Sequence, residues 1–178
     1  MKRASFSKHL FLLALAAAAI VAAAVPLASA ASPEAGAAAT RPCSTSGLVI
    51  WSNNGAGGGT AGSVYYKLRF TNLSGHACTL AGYPRVSAVN LAGKRLGGAA
   101  QQEAGQQPKL VKLVAGATAT ALLRIVDPGD FSASVCHETT AAGLRVSPPG
   151  QSASKLVPLP FPTCSRGGQD TLSVGVIE

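Results

Sequence analysis

Between Val64 and Phe70 the chain alternates without a break: Val64, Tyr66, Leu68 and Phe70 fall on one side, Tyr65, Lys67 and Arg69 on the other. Side chains of an extended backbone point to opposite faces with a period of two, so this stretch reads as a strand with one face reserved for a core. The same logic returns at 117–126, where Ala117, Ala119, Ala121, Leu123 and Ile125 stand against Thr118, Thr120 and Arg124. The small alanines mark a place where two sheets come close. Leu172, Val174 and Val176 repeat the pattern near the C-terminus, and shorter candidates lie at 47–52, 85–91, 109–114, 143–147 and 155–159. Turn formers separate them: Ala92-Gly93, Ala115-Gly116, Asp127-Pro128-Gly129-Asp130 and Pro148-Pro149-Gly150. Beyond the N-terminal region no segment keeps a helical period for eleven residues. About seven to nine short strands therefore predict an all-β fold, an antiparallel sandwich of immunoglobulin-like form, with a small barrel as the alternative.

The strands are preceded by an export signal. Lys2, Arg3 and Lys8 form a basic start, Leu10 to Val25 is almost wholly apolar, and Ala28-Ser29-Ala30 supplies a small-x-small cleavage site. Residues 1–30 read as a cleaved secretory signal peptide, and cleavage leaves no transmembrane segment. Residues 31–42, rich in Ala and Pro and without periodicity, read as a flexible linker. The folded unit then spans 43–178, one domain long enough to bury a core. The expected location is outside the cell or on its wall, and the heavy use of Ala, Gly and Arg suits a bacterium with a GC-rich genome.

All four cysteines, Cys43, Cys78, Cys136 and Cys164, lie in that unit. An even count in an exported domain predicts two disulfides. Three pairings are open; the sequential one, Cys43–Cys78 with Cys136–Cys164, is favoured because each pair brackets a strand and loop of similar length. Each closed loop would then stabilise the fold by about 3.5–4 kcal/mol in the chain-entropy account. Zinc ligation needs closer spacing than these cysteines have.

The remaining polar motifs read as architecture. Gly57, Gly59 and Gly62 spell G-x-G-x-x-G, but a dinucleotide loop must enter a helix, and this one leads into the strand at Val64. No cofactor is expected. His76 and His137 each lie near a cysteine in a loop, with no nucleophile motif beside them, so no catalytic residue is assigned. Metal ligation would need His137 to recruit Glu138 or Asp130, and no metal site is assigned. Asp127 to Asp130 reads as a turn rather than a calcium loop. Asn72-Leu73-Ser74 has the N-glycosylation spacing, yet Asn72 reads as a hydrogen-bonding turn residue. Trp51, Tyr65, Tyr83 and Phe131 are expected to pack in the core rather than to form a sugar-stacking platform.

Three of the fifteen Lys and Arg residues leave with the signal, so twelve face seven Asp and Glu, a net charge of about +5. They are spread along the chain, as Lys67 and Arg69, Lys94 and Arg95, and Lys109 and Lys112 illustrate. That spread argues against a nucleic-acid site and for a solvated basic surface with a loose attraction to anionic polymers.

The run Phe70-Thr71-Asn72-x-Ser74-Gly75-x-x-Cys78-Thr79-Leu80-x-Gly82-Tyr83-Pro84 resembles the hallmark of a family of exported, four-cysteine actinobacterial proteins known only as a domain of unknown function. Cys43, Gly62-Ser63, Gly93 with Gly97, Leu113-x-x-Gly116, Cys136, Leu144-Arg145-Val146-x-Pro148-Pro149-Gly150 and Cys164 extend the likeness over nearly all of 43–178. The resemblance implies a disulfide-linked β-sandwich at or outside the cell envelope and brings no catalytic or binding residues. The functional expectation is a secreted, non-catalytic module that binds or supports structure at the bacterial envelope, its partner an envelope protein or an anionic cell-wall polymer. The alternatives are a small extracellular hydrolase or metal-dependent enzyme using His137, and an inhibitor presenting the 53–62 loop.

Overall fold

The structure is a computed structural model and describes residues 40–53 and 59–178. The signal expected over 1–30, the linker up to residue 39 and the middle of the glycine-rich loop (54–58, with Gly57) lie outside the described residues.

Twelve strands form among the described residues. Seven have five residues or more: β1 (Leu48–Ser52), β3 (Ser63–Asn72), β5 (Arg85–Val89), β6 (Arg95–Ala99), β9 (Thr118–Val126), β10 (Glu138–Ser147) and β11 (Lys155–Cys164). Between and after them come five pieces of two or three residues: β2 (Gly59–Thr60), β4 (Cys78–Leu80), β7 (Gln101–Gln102), β8 (Val111–Leu113) and β12 (Leu172–Val174). Helix is confined to a 3-10 turn at Pro128–Asp130 and the single turn α1 (Ala133–Cys136). The fold is all-β.

One sheet runs β1-β3-β9-β12-β7, with β2 also on β3; the other runs β11-β10-β5-β6; β4 and β8 form a separate pair. All ladders are antiparallel except β12 with β7. The inner faces of both sheets feed one core: Leu48, Leu68, Phe70 and Leu123 from the first, Val86, Leu144, Val157 and Phe161 from the second. Register explains the alanines of β9. Ala119 lies opposite Phe70 and Ala121 opposite Leu68, so small side chains sit beside large ones on the same inner face. In an immunoglobulin domain one sheet orders its strands A-B-E-D and the other carries C, F and G. Here β1-β3-β9 and β5-β10-β11 follow A-B-E and C-F-G, but the place beside β9 belongs to β12, from the end of the chain.

β11 continues to Cys164, five residues past its sequence-predicted end, although Pro158, Pro160 and Pro162 lie within it. Proline cannot donate to a ladder and is tolerated in a strand only where the missing N–H faces no neighbour. Spacing the prolines by two puts every missing donor along one edge, and β11 has a partner, β10, on one side only. The alternate residues Val157, Leu159 and Phe161 remain in the core. Gly143 of β10 faces the same strand so closely that a Cβ there would run into the Val157 carbonyl oxygen.

Both disulfides form as favoured, Cys43–Cys78 and Cys136–Cys164, and no cysteine is free. The first ties the segment that enters the domain to β4. Arg41 and Cys43 already hydrogen-bond along that strand, Cys43 N–H to Thr79 O at 2.9 Å and Thr79 N–H to Arg41 O at 3.0 Å. The second joins the turn of α1 to the end of β11.

Candidate functional site

The polar residues that stand out in the sequence are consumed by the corner after β3. Asn72 is fully buried. Its Nδ2 donates to the carbonyls of His76 (2.8 Å) and Leu113 (3.0 Å), and its Oδ1 accepts from the Ser74 N–H (3.0 Å) and the Ser74 hydroxyl (2.7 Å). Every hydrogen-bonding capacity of the amide is thereby used. Asn72 links three things: the end of β3, the turn that follows it and β8. Gly75 carries the turn with φ +79°, and the His76 side chain is left exposed while its carbonyl serves the corner. A fully buried amide with both protons engaged is closed to glycosylation in the folded domain. Further on, Tyr83 places its hydroxyl on the carbonyls of Glu103 (2.9 Å) and Gln106 (3.1 Å), which pins the 103–106 loop.

The other candidates are likewise dispersed or structural. His137 is exposed and closes α1 in the left-handed region, φ 49° and ψ 73°, with its carbonyl accepting from Ser165 N–H and Oγ. Asp127 caps the 3-10 turn by accepting from Gly129 N–H at 2.9 Å. No three His, Cys, Asp or Glu side chains gather into a metal-holding group among the described residues. Gly59 lies in β2 and Gly62, with φ +74°, turns the hairpin into β3, so the glycine motif opens a strand and not a helix. Of the four aromatics expected inside, none reaches the core cluster, whose aromatic rings are Phe70 and Phe161 with Tyr66 packed against them. Trp51 is 39% exposed, Tyr65 and Phe131 are half-buried, and Tyr83 is held by its hydroxyl.

Trp51 and Tyr65 point outward from the larger sheet because they occupy the alternate positions of β1 and β3. The pairing of Trp51 with Arg69, Lys67 with Leu122 and Tyr65 with Arg124 gathers Trp51, Tyr65, Lys67, Arg69, Leu122 and Arg124 on one outer face. The Arg69 guanidinium lies 4.8 Å from the centre of the Trp51 ring. The indole N–H donates to Thr71 Oγ1 at 3.2 Å, and the Thr71 hydroxyl meets that of Thr118 at 2.9 Å. Arg124 Nε donates to Ser63 Oγ at 3.0 Å. None of the outward positions of β1, β3 and β9 is an Asp or Glu. Arg124, distant in sequence, thus joins Lys67 and Arg69 on one face, while Arg95 and Lys112 lie in other sheets.

Residues 43–178 match the family described as domain of unknown function DUF4232. The chain belongs to this family. No curated protein matches it. In this DUF4232 domain the turn after β3 is locked by Asn72, and two disulfides, Cys43–Cys78 and Cys136–Cys164, cross-link the chain. Among the described residues no helix is long and apolar enough to cross a membrane.

The outer face of the DUF4232 domain was only half legible. Alternation places Lys67 and Arg69 on the polar side of β3 and Arg124 on that of β9, whereas the expectation that Trp51 packs inside overlooked that it alternates with the buried Leu48 and Ile50. What alternation leaves open is which strands are neighbours, and that alone sets Trp51 beside Arg69 and Arg124 beside Tyr65.

Proposed function

We propose that this domain is a secreted, non-catalytic binding module of the bacterial envelope, and that its working surface is the outer face of the β1-β3-β9 sheet. The observation that carries the reading is the outer surface of those strands, which has no Asp or Glu at its own positions and carries Lys67, Arg69 and Arg124, with the half-exposed indole of Trp51 beside Arg69. Cations fixed on a rigid sheet raise the local concentration of anionic partners and hold them at fixed spacing. The two disulfides suit an oxidising compartment, and they hold the domain together without asking its small core to do all the work. The corner residues Asn72 and Ser74 spend their side-chain polar atoms on architecture, and His76 lends its carbonyl while its ring stays exposed.

The test is co-sedimentation of the mature domain with purified cell-wall sacculi. We compare wild type with Lys67→Gln/Arg69→Gln/Arg124→Gln and with His76→Ala/His137→Asn, the asparagine keeping the left-handed backbone. The face variant should lose co-sedimentation and the histidine variant should keep it. Equal binding by all three proteins, or loss confined to the histidine variant, would overturn the reading. An enzyme built on His137 would instead show a turnover that disappears with that histidine.

A further inference from the structure

We propose that the ligand of this face is a linear, carboxylate-bearing polysaccharide laid along β3. The inference rests on the binding reading above and adds the chemistry of the partner. Lys67 and Arg69 are two residues apart on the same side of one strand, which spaces their backbones by about 7 Å, and Arg124 continues the row opposite Tyr65. A row of cations at that interval suits a chain with repeated, not clustered, negative charge. Arg69 has a planar fork that matches a carboxylate, and its pairing with the indole orients that fork at the sheet surface.

Hydroxyl groups fill the spaces between the charges. Thr71 and Thr118 form a bonded pair beside Trp51, and Thr120 lies opposite Arg69. A hydroxyl both donates and accepts, so sugar hydroxyls can meet these groups in either role, whereas a carboxylate can only accept from them. The exposed part of the indole supplies an apolar plane of the kind on which the C–H face of a sugar ring can rest. At Leu122, 40% exposed, the face opens into a trough of about 440 Å³ that adds Lys109 and the amides of Gln106 and Gln107. Two carboxylates border the path: Glu178 lines the trough, and Glu103 accepts from the Ser173 hydroxyl at the β12 edge. Both flank the path on its β12 side: Glu178 pairs through its backbone with Thr120, the residue opposite Arg69, and Ser173 lies opposite Arg124.

Single-stranded nucleic acid fits less well. Its binders stack successive bases on successive aromatic rings, but here the two outward rings, Trp51 and Tyr65, stand on different strands, with Tyr65 four residues along β3 from Arg69, the partner of Trp51, about 13 Å.

The experiment titrates polygalacturonate into the mature domain at 50 and 300 mM salt and follows the emission of Trp51, the sole tryptophan. Dextran serves as the uncharged glycan and polyglutamate as the hydroxyl-free polyanion. Binding of polygalacturonate should perturb the emission, weaken with salt, and exceed that of polyglutamate and dextran by about tenfold or more, the ratio that 1.4 kcal/mol supports. Arg69→Gln should weaken it about tenfold and Arg69→Lys less, while Trp51→Ala, read by calorimetry, should weaken it severalfold with unchanged circular dichroism. Equal affinity for polyglutamate, tighter binding of a single-stranded oligonucleotide, or no binding of polygalacturonate overturns the proposal. If sacculi are still captured through Lys67, Arg69 and Arg124, the ligand assignment alone has failed; if that capture is also insensitive to the face variant, the binding reading has failed with it.

Discussion

Replacing Asn72 is the most discriminating test of how this domain is held together. Asn72→Ala removes four hydrogen bonds from a fully buried site. The Leu113 carbonyl is buried and would be stranded, a loss of about 1–3 kcal/mol; the His76 carbonyl and the Ser74 N–H are nearer solvent and account for about 0.5–1.5 kcal/mol each. The expected destabilisation is about 3–5 kcal/mol, a large share of the roughly 5–15 kcal/mol that holds a domain folded. Asn72→Asp keeps the shape but turns the donor into an acceptor facing two carbonyls. At neutral pH it should cost at least as much as alanine. The fold disfavours the charged carboxylate there, so its deficit grows as pH rises through the unfolded carboxyl range near about 3.9 and shrinks in acid, where the protonated group can donate once. Urea unfolding with the disulfides intact, followed by far-ultraviolet circular dichroism, measures both. Ser74→Ala shares the hydroxyl-to-Oδ1 bond, so the double variant should lose less than the sum of the singles. A loss below about 1 kcal/mol for alanine, or an aspartate variant as stable as wild type at pH 7, would refute the corner-lock account.

Further outcomes follow from the packing. Gly143→Ala should destabilise by about 1–3 kcal/mol or more, because the obstacle is the Val157 backbone, whereas Gly75→Ala, with open space around it, should cost only the left-handed strain of about 1 kcal/mol; equal midpoints would contradict the close approach of β10 and β11. Replacing Cys43 and Cys78 together by serine should remove about 3.8 kcal/mol for a 35-residue separation, and Cys136 with Cys164 about 3.6 kcal/mol for 28, both read from thermal or urea midpoints. Pro158→Val/Pro160→Val/Pro162→Val restores backbone donors along the open edge of β11 and should promote self-association in sedimentation velocity; a sample that stays monomeric would show that the prolines do not guard that edge.

Local periodicity carried the sequence reading a long way. β3 and β9 were legible because each alternates an apolar face with a largely polar one, β1 was legible as a short apolar segment whose outward Val49 and Trp51 are themselves hydrophobic, and the disulfide pairing followed from bracketed segments of similar length. The strands that escaped notice, and the second half of β11, each break that signal for a physical reason. β11 carries three prolines that only an edge strand accommodates. β6 contains Gly97 at φ +60°, where a Cβ would lie 2.9 Å from the Cys164 carbonyl, so its residues follow a close backbone approach and not a pleat pattern. β2, β4 and β7 are too short to show any period.

From its residues alone this chain determines an all-β fold, a covalent framework and the parity of its long strands, since each depends on neighbours within a few positions or on the chemistry of a residue type. Only the tertiary structure decides that Asn72 reaches the Leu113 carbonyl forty-one residues away, and that Arg69 meets Trp51 and Arg124 meets Tyr65. Those contacts depend on which strands pair and in what register. Pairing is a property of the whole sheet, fixed by burying both inner faces against one core, and no single segment carries it.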